Sequence, residues 1–225
     1  MKALFVTLAA SLMFVLSGCS AAPIGYDAVK SAKEKYETLD SARVVMEDIS
    51  TGARLMEFTF RINKRDEMEF TYSDGKNSAY SDGAEFFYRQ DGAEKWTVIG
   101  PSDENYVYNV YNRSYRYPYA QGSIFFLDGT SVESGSVVGV DGDTVVTYVY
   151  DADRLNKNAV SILDNVSSFS SLTAEYRINN DGYPVSFTES GRVIDADGNE
   201  SSVDIRITVY DMNEVDFIEK PDIIL

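Results

Sequence analysis

Among side chains that could do chemistry, the sequence is marked by two scarcities: its 225 residues hold no histidine and a single cysteine, Cys19. Without histidine, Ser-His and Cys-His nucleophile pairs are excluded, and one cysteine cannot build a zinc site. Nor can one cysteine form an internal disulfide, so packing must hold the fold. A two-carboxylate mechanism is the catalytic class that composition permits. The 36 acidic residues, however, follow no spacing that singles out a pair, and the chain reads as a non-enzyme without a cofactor. Asp195-Ala196-Asp197-Gly198-Asn199-Glu200 invites a calcium reading, but an EF-hand loop needs glycine at position six and glutamate at twelve. Counted from Asp195, Gly198 is fourth and the twelfth residue is Arg206, so a hairpin turn is expected there and no metal site. The formal charge of -16 argues against nucleic acid as a partner and against broad adhesion to anionic lipid.

The context of Cys19 is more informative than its thiol. Lys2 supplies a positive charge, and residues 3–16 form an unbroken apolar or small segment containing Leu4, Phe5, Val6, Leu8, Leu12, Phe14 and Val15. A charged start followed by such a run reads as an export signal. As a helix it would span only about 21 Å, short of a bilayer's hydrocarbon core of roughly 30 Å. Leu16-Ser17-Gly18-Cys19 closes the run, and these four residues resemble the lipobox of bacterial lipoproteins. The resemblance implies cleavage before Cys19, a diacylglyceryl thioether on its sulfur, and an acyl anchor holding the protein on the extracytoplasmic face of a cell membrane. Residues 1–18 are then the signal peptide, 19–25 a lipidated tether, and 26–225 one folded domain. Acceptor patterns at Asn112, Asn165 and Asn199 are incidental in such a protein.

Hydrophobic periodicity sets the elements. Over residues 26–40, Tyr26, Val29, Ala32, Tyr36 and Leu39 recur at three and four, while Lys30, Lys33, Glu34, Lys35 and Glu37 point elsewhere, which predicts an amphipathic helix. The period then becomes two. Met56, Phe58, Phe60 and Ile62 alternate with polar residues, as do Met68, Phe70 and Tyr72, and strands with one buried face follow. Asp74-Gly75, Asp82-Gly83 and Asp91-Gly92 supply turns between them, with strands expected over 84–90 and 94–99. A second meander is expected from 134–140, 144–150, 172–178, Val185 with Phe187, and 203–209. Asp151 or Asp153 caps an intervening helix carrying Leu155, Val160, Ile162, Leu163 and Val166. Residues 211–225 leave the sheet and add a last edge strand.

Between the meanders, six tyrosines fall between Tyr106 and Tyr119. Tyrosine offers a ring to grease and a hydroxyl to water, so this segment can form the lip of an apolar cavity; equally, its aromatics can cover one end of the sheet. Tyr108, Tyr111, Phe125, Phe126 and Tyr148 are the candidates to line a ligand.

About ten one-sided strands with only two or three helices to cover them must curl around those helices, close, or split. The fold expected is α+β, mainly β: a large curved antiparallel sheet forming a half-barrel around two or three helices. The element order, Asn180-Asp181-Gly182-Tyr183-Pro184 before a strand, and Tyr210-Asp211-Met212-Asn213 running through Ile218 to Pro221 together resemble the unclosed β-barrel of LolA-like and mycobacterial LppX/LprG-type lipoproteins. That resemblance implies helices acting as a lid over an apolar cavity that carries acyl chains or lipidated molecules. A ligand-free interaction or sensory module on the same scaffold is the competing expectation.

Overall fold

The computed structural model describes residues 22–98, 128–158 and 166–225. Helix α1 (Tyr26–Tyr36) starts after Gly25, whose φ of 75° suits glycine, and buries Val29, Ala32, Lys33 and Tyr36. The stripe is the one the spacing predicts, with one correction. Lys33 stands four residues after Val29 and three before Tyr36, so helical geometry turns it inward despite its charge. Residues before the helix also pack: a Cβ on Gly135 would meet Ile24, and one on Gly129 would meet Tyr26 and Pro23.

Eleven strands form one antiparallel sheet. Strands β1 (Ser41–Asp48), β2 (Ala53–Ile62), β3 (Met68–Ser73), β4 (Ser78–Asp82), β5 (Phe86–Arg89) and β6 (Thr97–Val98) make the first meander. Strands β7 (Val132–Val140) and β8 (Asp143–Tyr150), helix α2 (Ala152–Asn158), and strands β9 (Val166–Ile178), β10 (Pro184–Asp195) and β11 (Glu200–Tyr210) make the second half. The halves join where β1 pairs with β11, Val44 opposite Val209 and Met46 opposite Ile207. The strand order is β6-β5-β4-β3-β2-β1-β11-β10-β9-β8-β7, so the sheet stays open between β6 and β7. It curls far enough that α1 meets both halves. Tyr36 packs edge-on against Phe60 of β2 with ring centroids 6.4 Å apart, and the Lys33 Nζ lies 5.4 Å from the ring centre of Tyr176 on β9.

Three expectations need correction, and one strand is new. β1, on which hydrophobic periodicity is silent, runs through the hub of the sheet without alternating, because Val44 is buried on the inner face and Val45 on the outer. Val166, expected in a helix, opens β9, where it pairs with Asp195 and lengthens the sheet. The strand expected over 94–99 narrows to Thr97–Val98. The last segment adds no strand. It crosses the outer face as a strap, where Ile218 and Ile223 pack on Tyr80, Phe87 and Trp96. Asp151 is the residue that caps α2, accepting the backbone N–H of Arg154 at 3.0 Å. Asp195 likewise fastens the β10–β11 hairpin, accepting the N–H groups of Asp197 at 2.9 Å and Asn199 at 2.8 Å.

Candidate functional site

Alternation along each strand sends one set of side chains into the concave face. On the first meander this set builds a run of aromatic rings: Phe58 on Phe60 at 5.6 Å, Phe58 on Phe70 at 5.4 Å and Phe70 on Phe86 at 5.1 Å between centroids. On the second half, Tyr148 lies 6.5 Å from Tyr150 and 5.9 Å from Tyr176, and Tyr176 lies 4.8 Å from Phe187. All are buried in one core cluster with α1.

Two charged residues enter this apolar interior. Lys33 comes from α1 and is 1% exposed; Glu189 comes from β10 and is 6% exposed. Glu189 sits opposite Ala174 of β9 and Ile205 of β11, in the inward-facing series that includes Phe187. Burial pushes the Lys33 ammonium well below the usual lysine range, and the Glu189 carboxylate pulls it part of the way back. Burial raises the Glu189 carboxyl to about 7, with Lys33 opposing the shift. The two influence each other without touching, since the Lys33 Nζ and the nearest Glu189 oxygen stand more than 4.0 Å apart.

The surrounding tyrosines complete the site. Tyr176 donates its hydroxyl to that of Tyr150, and burial raises both phenols. Tyr148 is raised by burial as well. Neither the Lys33 Nζ nor the Tyr148 hydroxyl has a hydrogen-bond partner in the described structure. The arrangement is a small set of polar groups packed inside an aromatic bowl.

Of the residues expected at a site, Tyr148 lies in this interior. Tyr108, Tyr111, Phe125 and Phe126 fall outside the described residues, as do Leu16, Ser17, Gly18 and Cys19. Lys33 and Glu189 were not among the expected site residues, although each has a sequence signal. Lys33 occupies a helical-stripe position, and Glu189 falls in a period-two series with Phe187 and Val193. Outside the bowl, the strap roofs a cavity of about 530 Å³ over Thr59 and Thr71, and another of about 430 Å³ lies beside Asp151, Ser170 and Leu172. No described helix is long and apolar enough to cross a membrane.

The fold defines an open antiparallel half-barrel around a helix. Among solved structures, the chain is similar to LprF from Mycobacterium bovis, with a TM-score of 0.49 and 12% identity over 89% of this chain and 99% of that one. It is also similar to the Mycobacterium tuberculosis lipoprotein LppX, with a TM-score of 0.45 and 12% identity over 86% of this chain and 97% of that one. A structure of the Pseudomonas aeruginosa MucA/MucB complex gives a TM-score of 0.32 and 13% identity over 81% of this chain and 54% of that one. No protein-family model matches the chain, and no curated protein matches it.

Proposed function

We propose that this chain is a membrane-anchored extracytoplasmic lipoprotein whose half-barrel binds or carries an apolar or lipidic ligand and catalyses no reaction. The observation that carries the reading is the shape and chemistry of the concave face. It is continuous across both halves of the sheet and lined by aromatic rings in mutual contact, and α1 lies on it against β9 and β10. Concave, mainly apolar surfaces with a few placed polar groups are the usual form of a small-molecule site. The lipobox resemblance at Cys19 supports the anchor.

The test uses a chain beginning at Ser20, which lacks the signal and the cysteine and can be purified without competing detergent. Organic extraction and mass spectrometry are expected to recover a lipid in stoichiometric amount. A chain that is empty from several hosts overturns the reading. The ligand-free interaction module is favoured by one feature, the open edge β7, where Val137, Val138 and Val140 are exposed in the manner of strands that accept a partner. Recovery of a stoichiometric envelope protein on an empty domain would select it.

A further inference from the structure

The two margins of the sheet are finished differently. At one, β6 is two residues long, and the strap lies over it with Ile218 and Ile223 packed on the cluster that holds Trp96. At the other, β7 is nine residues long, and among the described residues nothing pairs with its side away from β8. An edge of that length is ordinarily blunted by lysine, proline or a covering segment. β7 contains neither lysine nor proline, and no lysine or arginine occurs from Asp128 to Tyr150. Nor is it covered, since Val137, Val138 and Val140 are 40%, 41% and 38% exposed.

We propose that β7 accepts, as an added strand, an extended segment of another protein that is uncharged and β-branched along its middle and carries lysine or arginine at its ends. Added strands bind through backbone hydrogen bonds, and the side chains that alternate along them set the preference. Val138 stands opposite Val145 and Ser134 opposite Val149, so Val138, Val140 and Val149 share the outer face. β-Branched side chains of an incoming strand pack on such a row. Charge sets the ends. Ser134 to Val140 is seven residues without charge, bounded by Glu133 and Asp141. Glu133 also lines a cleft of about 430 Å³ together with Asp151 and Asp153. Arg154 engages Asp151 at 3.0 Å, whereas Glu133 and Asp153 form no ion pair among the described residues, which leaves them to a cationic side chain at the end of the added strand. A second copy of this chain is a poorer occupant, because it brings Glu133, Asp141 and a formal charge of -16 to the same edge, and like charges across paired strands repel. Docking at β7 is compatible with a carrier and with a ligand-free module alike, and it gives the open edge a partner of defined chemistry.

The experiment titrates the full chain against a fluorescently labelled peptide, Lys-Thr-Val-Thr-Val-Thr-Val-Thr-Lys, and follows anisotropy. A peptide with glutamate in place of both lysines is expected to bind about tenfold weaker, the size of two exposed charge pairs turned from attraction to repulsion. Proline in place of the central valine removes a ladder donor and should also cost about tenfold or more. Val138→Lys adds the charge that guards natural edges and should weaken the lysine peptide by about tenfold. Val98→Lys, at an exposed position of the strap-covered margin, should leave it unchanged. Glu133→Lys should bring the lysine and glutamate peptides level, and this exposed position serves if thermal unfolding shows that Val138→Lys does not fold. No binding of the lysine peptide, equal binding of the proline peptide, or a preference that survives both β7 variants overturns the proposal. So does a chain that is itself dimeric and turns monomeric in Val138→Lys, an outcome that gives the edge to a second copy.

Discussion

Trp96 donates its indole N–H to the carbonyl of Asp222 at 3.1 Å and its backbone N–H to that of Ile224 at 2.8 Å. These bonds tie the strap to the margin of the first meander, beside the two-residue strand β6. The attachment continues along the outer face. Lys95 donates to the carbonyl of Leu225 at 2.7 Å, Arg61 to that of Asp216, and the backbone N–H of Val215 to the Ser41 hydroxyl at 3.1 Å. An edge that would otherwise present unpaired backbone is thereby short and covered. Trp96→Phe keeps a ring against Phe87 and Ile223 and loses the bond to Asp222, an expected destabilisation of about 1 kcal/mol. Trp96→Ala also empties the cluster, for about 3 kcal/mol. Urea unfolding reads both values. Hydrogen exchange should accelerate chiefly in β5, β6 and the strap, because Tyr80, Phe87 and Trp96 form a cluster separate from the main core.

Gly191 marks the place where β10 and β9 approach most tightly. A Cβ there would stand 2.2 Å from the carbonyl oxygen of Ser171 and 3.0 Å from the Cα of Leu172. Both are backbone atoms, so no rotamer change relieves the clash, and the register shift between Arg192 and Val193 follows directly. Gly191→Ala is expected to destabilise by roughly 3 kcal/mol or more, the upper end for an overpacked site. Gly135→Ala, where the contacts are the Tyr148 ring edge at 2.9 Å and the Ile24 methyl at 3.1 Å, should be milder because side chains can shift. Equal losses in paired unfolding curves would contradict this account.

The anchor gives a simpler prediction. With Cys19 acylated, the full chain should partition into the detergent-rich phase of a cloud-point separation, and a chain beginning at Ser20, without signal or cysteine, should stay in the aqueous phase. Labelling with a radioactive fatty acid should follow the same split. An unlabelled wild-type chain in the aqueous phase would remove the lipoprotein assignment and leave the half-barrel unaffected.

Legibility differed by element for physical reasons. β2, β3, β9 and β11 show in the sequence because each has one buried face, and burial of one face imposes a period of two. β1 was hidden because it is buried on both sides, so Val44 and Val45 stand together without alternation. Val215, Phe217 and Ile218 suit extended chain, so residue type alone points to an edge strand in the strap. What decides against a strand is that its backbone bonds go to Ser41 and Trp96 as isolated anchors, without a ladder. The inward charges are hidden by residue type. Composition puts Lys33 on the wet face, yet its position on the stripe decides its direction, and Glu189 stands unmarked for the same reason. A charged residue at an inward-facing position is the signal that singles out this interior from an ordinary core.

That signal carries a pH dependence with a definite sign. Glu189 titrates near 7 in the folded protein against an ordinary value of 4.5, so between those values the folded state keeps a proton that the unfolded chain has released. Its contribution to stability is complete below about pH 4.5 and is lost as pH rises through about 7, a fall of roughly 3 kcal/mol if the group acts alone. Lys33 works in the opposite direction and at higher pH. Its ammonium is lowered from 10.5, so the unfolded chain holds the extra proton and stability recovers toward that value. Glu189→Gln removes the first effect and leaves every exposed carboxylate in place. Urea unfolding of the wild type and Glu189→Gln at pH 5 and pH 8 isolates the contribution of Glu189 as a difference of differences. The wild type is expected to lose more stability than the variant between the two, and the variant should be the more stable protein at pH 8. Parallel losses in the two proteins would mean that Glu189 is ionised throughout, and that the interior is wetter than its burial indicates.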